Sequence, residues 1–438
     1  MERDDHRTFG DIHGTQEQLA TAVEEIIDLA VVKVSESEPL KLRFLTPLHL
    51  TGNWRSEAAC QDFKLTSPND HTPAMQYVTV SYCWQNEQST NGLPPVPDYR
   101  IWDSTSSEGK SRAVRCPELV FHRAWRFAQV ANHPYLWIDQ ECINQDDPAD
   151  VEKHLQVMDQ VYCGSVYTVI TLSTGLATSY QLNCLIELIM TRHTNRFPNS
   201  DIVLGALVAL KRIVNDRWFS RTWAFQEKHC ANWPLLLIPM DSSWDISYEN
   251  VPEEYGVPQT LGNDLLVHLL PLYLVLVDEQ FVRWQASSIV PEKPLEPDQD
   301  PCPQSLIDCF DAHNPATASQ PLVHPNLGNF RTTYLQMENC SNLKAADRLS
   351  IYANSSSARF RILSNRLDRL CFSYNTCFLA FILPQIYLNR DDRQHIISKE
   401  WTELSQTNFK GFITGKVLAF RVAEESFRKG EIDLDKLA

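Results

Sequence analysis

Apolar and polar positions alternate in a regular order of elements between residues 77 and 172. Short aromatic and β-branched runs predict strands, and apolar residues that recur every three or four positions predict helices. The predicted order is a strand over residues 77–82, a helix over 117–131, a strand over 135–139, a helix over 148–163 and a strand over 166–172. This β-α-β-α-β order predicts an α/β fold with a parallel sheet and right-handed crossovers.

The helix predicted after residue 147 has the clearest start. Asp147 is suited to cap its first amides, and Pro148 fits its first turn. One face of this helix is apolar, as is typical of a helix that packs on a core. The residues on that face are Val151, Leu155, Met158 and Tyr162.

The remainder of the chain divides by composition. Residues 1–72 are predicted to form an amino-terminal extension with a helix over 15–32. The α/β domain is predicted over 73–230 and includes a helix over 201–214 and a dense aromatic and charged cluster over 217–227. Beyond it we expect a helical or irregular continuation over 231–289, a proline-rich linker over 290–303 and a mostly α-helical carboxyl-terminal region over 304–438, with packed helices over 345–352, 363–386 and 408–426.

Composition narrows the class of protein. The 438 residues are 43% hydrophobic and 10% aromatic, which is enough for two or three packed domains. Lys and Arg total 39 against 55 Asp and Glu, a net charge of -16. Because contact with phosphates depends on a basic surface, this balance argues against a nucleic-acid partner.

The sequence also bears on location. Residues 1–7 lead into no apolar core of the signal-peptide type, and the apolar runs 265–277 and 378–388 are too short to span a bilayer. Twelve cysteines are scattered without any Cys-x-x-Cys spacing, as is typical of a reduced intracellular protein. We therefore expect a cytoplasmic protein without a membrane span.

Polar residues follow two of the predicted strands where each strand ends. Ser81 and Trp84 follow the first strand, and Asp139, Glu141 and Cys142 follow the second. The carboxyl ends of parallel strands meet at one sheet edge, so these residues are predicted to line one cleft. The two carboxylates suit general acid/base chemistry or ribose binding. The structural alternative is capping of backbone amides or an internal ion pair.

Other candidates have the same two interpretations. Glu227 and Arg221 can join the cleft, or form a buried ion pair that needs no substrate. The tryptophans at 84, 137 and 223 can stack on a base, although core packing is the commoner role of such side chains. Cys142 is a candidate nucleophile with His154 or His229 as its base, but a buried apolar role fits it better.

The chain contains none of the common nucleotide-loop, dinucleotide, zinc-protease or hydrolase motifs. We expect no bound cofactor and no metal.

Three blocks of sequence resemble the heterokaryon incompatibility (HET) domain of filamentous fungi. They are residues 77–84 (YVTVSYCW), residues 136–145 (LWIDQECINQ) and residues 221–227 (RTWAFQE). Their order and spacing agree with the family over about a third of the chain. The motif residues expected at a site are Ser81, Tyr82, Trp84, Trp137, Cys142, Arg221, Trp223 and Gln226, with Asp139, Glu141 and Glu227 as the candidate catalytic carboxylates.

The resemblance implies a role in fungal self/non-self recognition, in which HET-domain proteins trigger growth arrest or programmed cell death. It implies a protein partner or self-association. The family is also considered distantly similar to TIR domains, some of which cleave NAD, and this would agree with a flavodoxin-like strand order. An enzyme with NAD as its substrate is thus the alternative from a different class, although similarity of fold does not transfer activity.

One departure from the family pattern suggests a third alternative. Gln85 stands where the family usually has glycine at the end of the first block. If that glycine adopts a positive φ, Gln85 strains or reshapes the turn. A diverged paralogue that keeps the fold and has lost its output would carry such a change.

Overall fold

The computed structural model of the chain describes residues 3–33, 41–50, 54–55, 61–84, 96–103, 111–194, 200–241, 243–244, 258–269, 327–338, 340, 344–356, 358–368 and 372–415. The chain divides into two compact units. The sheet unit comprises residues 40–150 and 160–319, and the helical unit comprises residues 1–39, 151–159 and 320–438. The predicted linker over 290–303 lies outside the described residues.

Numbered along the chain, the strands are β1 (Val31–Lys33), β2 (Leu45–Pro47), β3 (Asp62–Leu65), β4 (Val78–Ser81), β5 (Arg100–Asp103), β6 (Ser111–Ala113), β7 (Leu136–Trp137), β8 (Tyr167–Thr171), β9 (Pro234–Pro239), β10 (Gln259–Leu261), β11 (Asp264–His268) and β12 (Phe360–Ile362).

The helices are α1 (Phe9–His13), α2 (Gln16–Ala30), α3 (Glu118–Ala131), α4 (Asp139–Cys142), α5 (Pro148–Leu155), α6 (Met158–Cys163), α7 (Ser179–Thr194), α8 (Ser200–Val214), α9 (Thr222–Cys230), α10 (Leu327–Glu338), α11 (Ala345–Ser355), α12 (Ser364–Asp368), α13 (Tyr374–Ile386), α14 (Arg390–Lys399), α15 (Trp401–Leu404) and α16 (Phe409–Ile413).

The sheet unit is built on a mixed sheet with the strand order β10-β11-β9-β8-β4-β7-β2-β3-β5-β6. Its centre is parallel, since β4 pairs in parallel with β7 and β8, and β8 with β9. This confirms the parallel core predicted from the β-α-β-α-β order. The prediction of a parallel sheet is wrong for the flanks, where β2, β10 and β11 run antiparallel to their neighbours.

The antiparallel flanks have local causes. Gly262, at φ +61°, and Asn263 form the two-residue turn between β10 and β11. Such a turn favours a hairpin because glycine accepts a positive φ without steric cost. Residues 231–289 were predicted to be helical or irregular, and β9, β10 and β11 correct that prediction within the described residues. The segment predicted as an amino-terminal extension contributes β2 and β3.

Helices cover the sheet, whose inner strands are mostly buried. The residues of β4 and most of β8 and β9 are buried, as expected for strands packed on both faces. One face packs against α7 and α8, which contribute Leu185, Ile189, Leu207 and Leu210 to the core. Helix α3 is joined to the sheet unit's strands by a buried ion pair of Arg123.

Arg123 links the carboxyl end of the sheet to the flanking hairpin. Its guanidinium pairs with Asp264 at 2.6 Å and donates to the carbonyls of Leu172 at 2.6 Å and Leu237 at 2.7 Å. Both charged side chains are buried. A buried charge pair with its remaining donors satisfied fixes geometry, because removal of either partner leaves an uncompensated charge.

Most predicted elements are confirmed with small shifts of their ends. The helices expected over 15–32, 117–131 and 201–214 correspond to α2, α3 and α8. The helix expected over 148–163 is instead two helices, α5 and α6. Its last turn tightens at Val157, whose amide donates to the carbonyl of His154 three residues back. Asp147 caps the start as predicted, accepting from the amide of Ala149 at 2.9 Å.

The helical unit joins distant parts of the chain. The strand β1 pairs antiparallel with β12, so residues 31–33 lie beside residues 360–362. Glu24 of α2 accepts two hydrogen bonds from the buried guanidinium of Arg393 in α14, at 2.8 and 2.7 Å. The predicted helical character of the carboxyl-terminal region is confirmed for its described residues. None of the described helices is long and apolar enough to cross a membrane.

Candidate functional site

The candidate site lies at the carboxyl end of β4, in the middle of the sheet. In the sheet, β7 lies on one side of β4 and β8 lies on the other. The chain order of the parallel strands therefore reverses at β4. In open α/β sheets, ligands bind at such a reversal, beyond the carboxyl ends of the strands. Ser81 is the last residue of β4 and Tyr82 follows it, while Asp139 lies just after β7 at the same edge of the sheet.

Asp139 is held by the first sequence block. The hydroxyl of Tyr82 donates to its Oδ1 at 3.0 Å, and the indole Nε1 of Trp84 donates to Oδ2 at 2.7 Å. The backbone amide of Gln140 adds a third bond at 2.7 Å. Burial raises the pKa of the Asp139 carboxyl, and these hydrogen bonds oppose that shift. The predicted meeting of the two strand ends is thereby confirmed.

Glu227 occupies the buried side of the site. It projects from α9 and accepts a hydrogen bond from the hydroxyl of Ser81. Burial raises the pKa of Glu227 to about 7, the charge of Arg221 opposes the shift, and the charge of Asp139 adds to it. Two carboxylates and one guanidinium therefore share a site, and at neutral pH one carboxylate is only partly ionised.

Arg221 ties the third block to the first. Its guanidinium donates to the backbone carbonyl of Tyr82 at 2.7 Å. Since Arg221 also precedes α9, this bond sets where that helix begins relative to β4. The three blocks of the sequence thus meet through their own side chains.

Glu141 has a different environment from the other two candidate carboxylates. Its Oε2 pairs with Arg112 at 2.6 Å, and its Oε1 accepts from the backbone amides of Arg115 and Cys116. The side chain is fully buried. These contacts match the structural alternative of amide capping plus an internal ion pair. They anchor the segment between β6 and α3.

The three tryptophans differ in exposure. Trp84 is 43% exposed, Trp223 is half-buried and Trp137 is fully buried. Trp137 packs edge-on against Tyr162, with ring centroids 5.9 Å apart. Trp137 therefore has the core role, whereas Trp84 offers an aromatic face to solvent beside Asp139.

Cys142 and Gln226 are both fully buried. The thiol of Cys142 lies 3.8 Å from the carbonyl of Leu136, and burial raises its pKa to about 12. A thiol that stays protonated at neutral pH is a poor nucleophile. The side-chain amide of Gln226 has no hydrogen-bond partner among the described residues.

Three residues that support the site were not among the predicted site residues. Trp218 donates from its indole to the hydroxyl of Ser81 at 2.7 Å. Asp216 caps the short 3-10 turn that carries Trp218, at 2.8 Å, and binds the amides of Ser173 and Thr174. Tyr162 faces Glu227, whose charge adds to the effect of burial in raising the Tyr162 pKa. An Asp before a turn that contains aromatic residues is a capping signal. This signal could have indicated Asp216 and Trp218 as residues of the site.

The described residues contain no group of three or more His, Cys, Asp or Glu placed to hold a metal ion. Gln85, which replaces the glycine of the family pattern, lies outside the described residues.

One of three comparisons with known proteins found a match. No curated protein and no solved structure matches the chain. Residues 77–227 match the family model described as heterokaryon incompatibility protein (HET). This span begins one residue before β4 and ends at Glu227, so it encloses all three blocks. The chain therefore carries a heterokaryon incompatibility domain.

Proposed function

We propose that the chain is a signalling protein of heterokaryon incompatibility, whose HET domain triggers growth arrest or programmed cell death through a protein partner or self-association. The presence of the HET domain points to that process. One structural observation supports a role without catalysis: Ser81, Asp139 and Glu227 are bound by side chains of the other blocks. Their presence is accounted for by the fold, with no substrate required.

Inducible expression in a filamentous fungus tests this role. We expect the wild-type chain to stop growth and Ser81→Ala to abolish the arrest, because that change removes the bond between the first and third blocks. Ser220→Ala is the matched control, since Ser220 is exposed and its hydroxyl donates to the carbonyl of Arg217 three residues back. Normal growth with folded wild-type protein present would contradict the proposal and favour the diverged paralogue.

A nucleotide-cleaving activity is the second candidate. It is supported by Glu227, a buried carboxylate with a pKa of about 7, beside Asp139 and near the exposed ring of Trp84. In this reaction the bond between nicotinamide and ribose breaks, and neutral nicotinamide leaves with the electron pair of that bond. Water adds to the ribose carbon and gives up one proton. Release of nicotinamide from NAD by the purified full-length chain measures it directly. No release, with the chain folded, excludes this candidate.

A further inference from the structure

The break between α5 and α6 lies where a side chain occupies a backbone carbonyl. In an unbroken helix the carbonyl of Leu155 would accept from the amide of Asp159, four residues on. Here the side-chain amide of Asn354 in α11 donates to that carbonyl at 2.7 Å, and Asn354 is buried. A side chain that enters the hydrogen-bond ladder of a helix bends or interrupts it. Asn354 therefore accounts for the division of the helix predicted over residues 148–163.

The strand β12 holds the same break through a second set of contacts. The guanidinium of Arg361 pairs with Asp159 in α6 at 2.5 Å and donates to the carbonyl of Ala353 at 2.6 Å. The side-chain amide of Gln156 donates to the carbonyl of Ile362 at 3.1 Å. Arg361 is buried and Asp159 is half-buried, so the loss of either partner would leave a poorly solvated charge.

The helix α6 also carries a residue of the candidate site. Tyr162 follows Asp159 by three residues, which is less than one helical turn. The Tyr162 ring is fully buried against Trp137, with ring centroids 5.9 Å apart, and it faces Glu227. Residues 151–159 lie within the span that matches the HET family, yet they group with the helical unit. A single short helix thus has Arg361 at its start and the site at its end.

We propose that Asn354 and Arg361 are positioning residues of the candidate site: by holding the break between α5 and α6, they set the direction of α6 and keep Tyr162 beside Glu227. The helical unit thereby controls the site through a segment of the HET domain itself. Loss of these contacts lets α5 and α6 join into one helix, which turns Tyr162 away from Glu227. The biological role of this control rests on the proposed function, whereas the coupling itself does not.

The pKa of Glu227 in the purified full-length chain tests the coupling. Infrared titration follows its protonated carboxyl, whose band is the part of the signal that disappears when Glu227→Gln is added to the same chain. Burial is the largest cause of the raised pKa, so displacement of Tyr162 should admit water and lower it. In Asn354→Leu, which removes the hydrogen bond and keeps the side-chain volume, we expect the pKa to fall from about 7 by about 1 or more.

Asn375→Leu is the matched control. Asn375 is also a buried asparagine of the helical unit, and its side chain donates to the carbonyls of Asp4 at 2.8 Å and Arg7 at 3.0 Å. This variant should lose free energy of unfolding, as Asn354→Leu does, and leave the pKa of Glu227 unchanged. Arg361→Met is the second variant, and it should lower the pKa of Glu227 in the same direction as Asn354→Leu.

Two results would overturn the proposal. One is an unchanged pKa of Glu227 in the folded Asn354→Leu or Arg361→Met chain. The other is an equal fall of the pKa in Asn375→Leu, because the effect would then follow from general destabilisation. If Asn354→Leu does not fold, Arg361→Met decides the outcome.

The coupling and the signalling role fail separately. Growth arrest by the wild-type chain, with an unchanged pKa of Glu227 in the variants, would overturn the coupling alone. A lowered pKa in the variants without growth arrest by the wild-type chain would support the coupling and contradict the proposed function.

Discussion

Glu227 makes the folded chain sensitive to pH at the scale of a single residue. Burial raises its pKa from 4.5 to about 7, so the folded state binds more protons than the unfolded state between those values. The contribution of Glu227 to the free energy of unfolding is fully present below pH 4.5. It is lost as the pH rises through 7. Over the whole pKa shift the free energy of unfolding changes by about 3 kcal/mol, since each pKa unit corresponds to about 1.4 kcal/mol.

Glu227→Gln isolates that effect. Groups that do not interact with Glu227 titrate alike in both proteins, so the wild-type free energy of unfolding should fall by about 3 kcal/mol more than that of the variant between pH 4.5 and 8. Urea denaturation at several pH values measures the difference. Parallel pH profiles for the two proteins would refute the assigned pKa.

Ser81 is the second residue with a testable role. Its hydroxyl binds both Glu227 and the indole of Trp218, so Ser81→Ala leaves a buried carboxyl and a buried N–H without that partner. We expect a loss of about 2–6 kcal/mol in the free energy of unfolding, since each of the two unsatisfied buried groups costs about 1–3 kcal/mol. Ser220→Ala should change it by less than about 0.5 kcal/mol. Similar values for the two variants would show that Ser81 does not join the blocks.

At the scale of elements, the ion pair between Arg123 and Asp264 should fix α3 on the sheet. Removing either charge, as in Arg123→Leu or Asp264→Leu, should cost about 3–5 kcal/mol because the other stays buried. The double variant, Arg123→Leu with Asp264→Leu, should lose much less free energy of unfolding than the two single variants added together. The exposed pair of Arg100 and Asp98 is the control, and Arg100→Leu should cost less than about 1 kcal/mol. Additive losses in the double variant would contradict a coupled pair.

The elements that the sequence predicts well are those with a local signal. The core strands and α3 follow from hydrophobic periodicity, and Asp147 and Pro148 mark the start of α5. The flanking hairpin β10–β11 has a turn signal of its own at Gly262 and Asn263, but its strands are short. The strands β2 and β3 were not predicted, because each is short and, unlike β4 and β7, neither stands in an alternation of strands with long helices.

The residues of the site also differ in how well the sequence predicts them. Ser81 and Asp139 could be predicted because parallel strand ends must share an edge. Glu141 could not be separated from Asp139, because the single helical turn α4 directs its side chains apart. Each residue turns the direction by about 100°, so a side chain two positions later faces the opposite side. The partners of Glu141 come from residues 112–116, and no sequence pattern indicates such a contact.

At the scale of the whole molecule, the helical unit combines residues separated by more than three hundred positions in the chain. Glu24 and Arg393 are 369 residues apart and both buried. We expect Arg393→Met to speed hydrogen exchange in α2 as well as in α14, because it leaves the Glu24 carboxylate buried without its main partner. Faster hydrogen exchange in α14 alone, with α2 unchanged, would contradict the view that the two helices stabilise each other. Arg390→Met is the control, since Arg390 is exposed and lies 3.8 Å from Glu24.

We propose that the HET domain signals through its assembled fold, with Glu227 as a structural member of the site. Expression of Glu227→Gln in a filamentous fungus tests this most directly, because glutamine still accepts the hydrogen bond from Ser81 but cannot supply a carboxylate for chemistry. We predict that cells expressing this variant stop growing, as they do with the wild-type chain. Normal growth while the variant accumulates in folded form would contradict the claim and assign the signal to a reaction at Glu227.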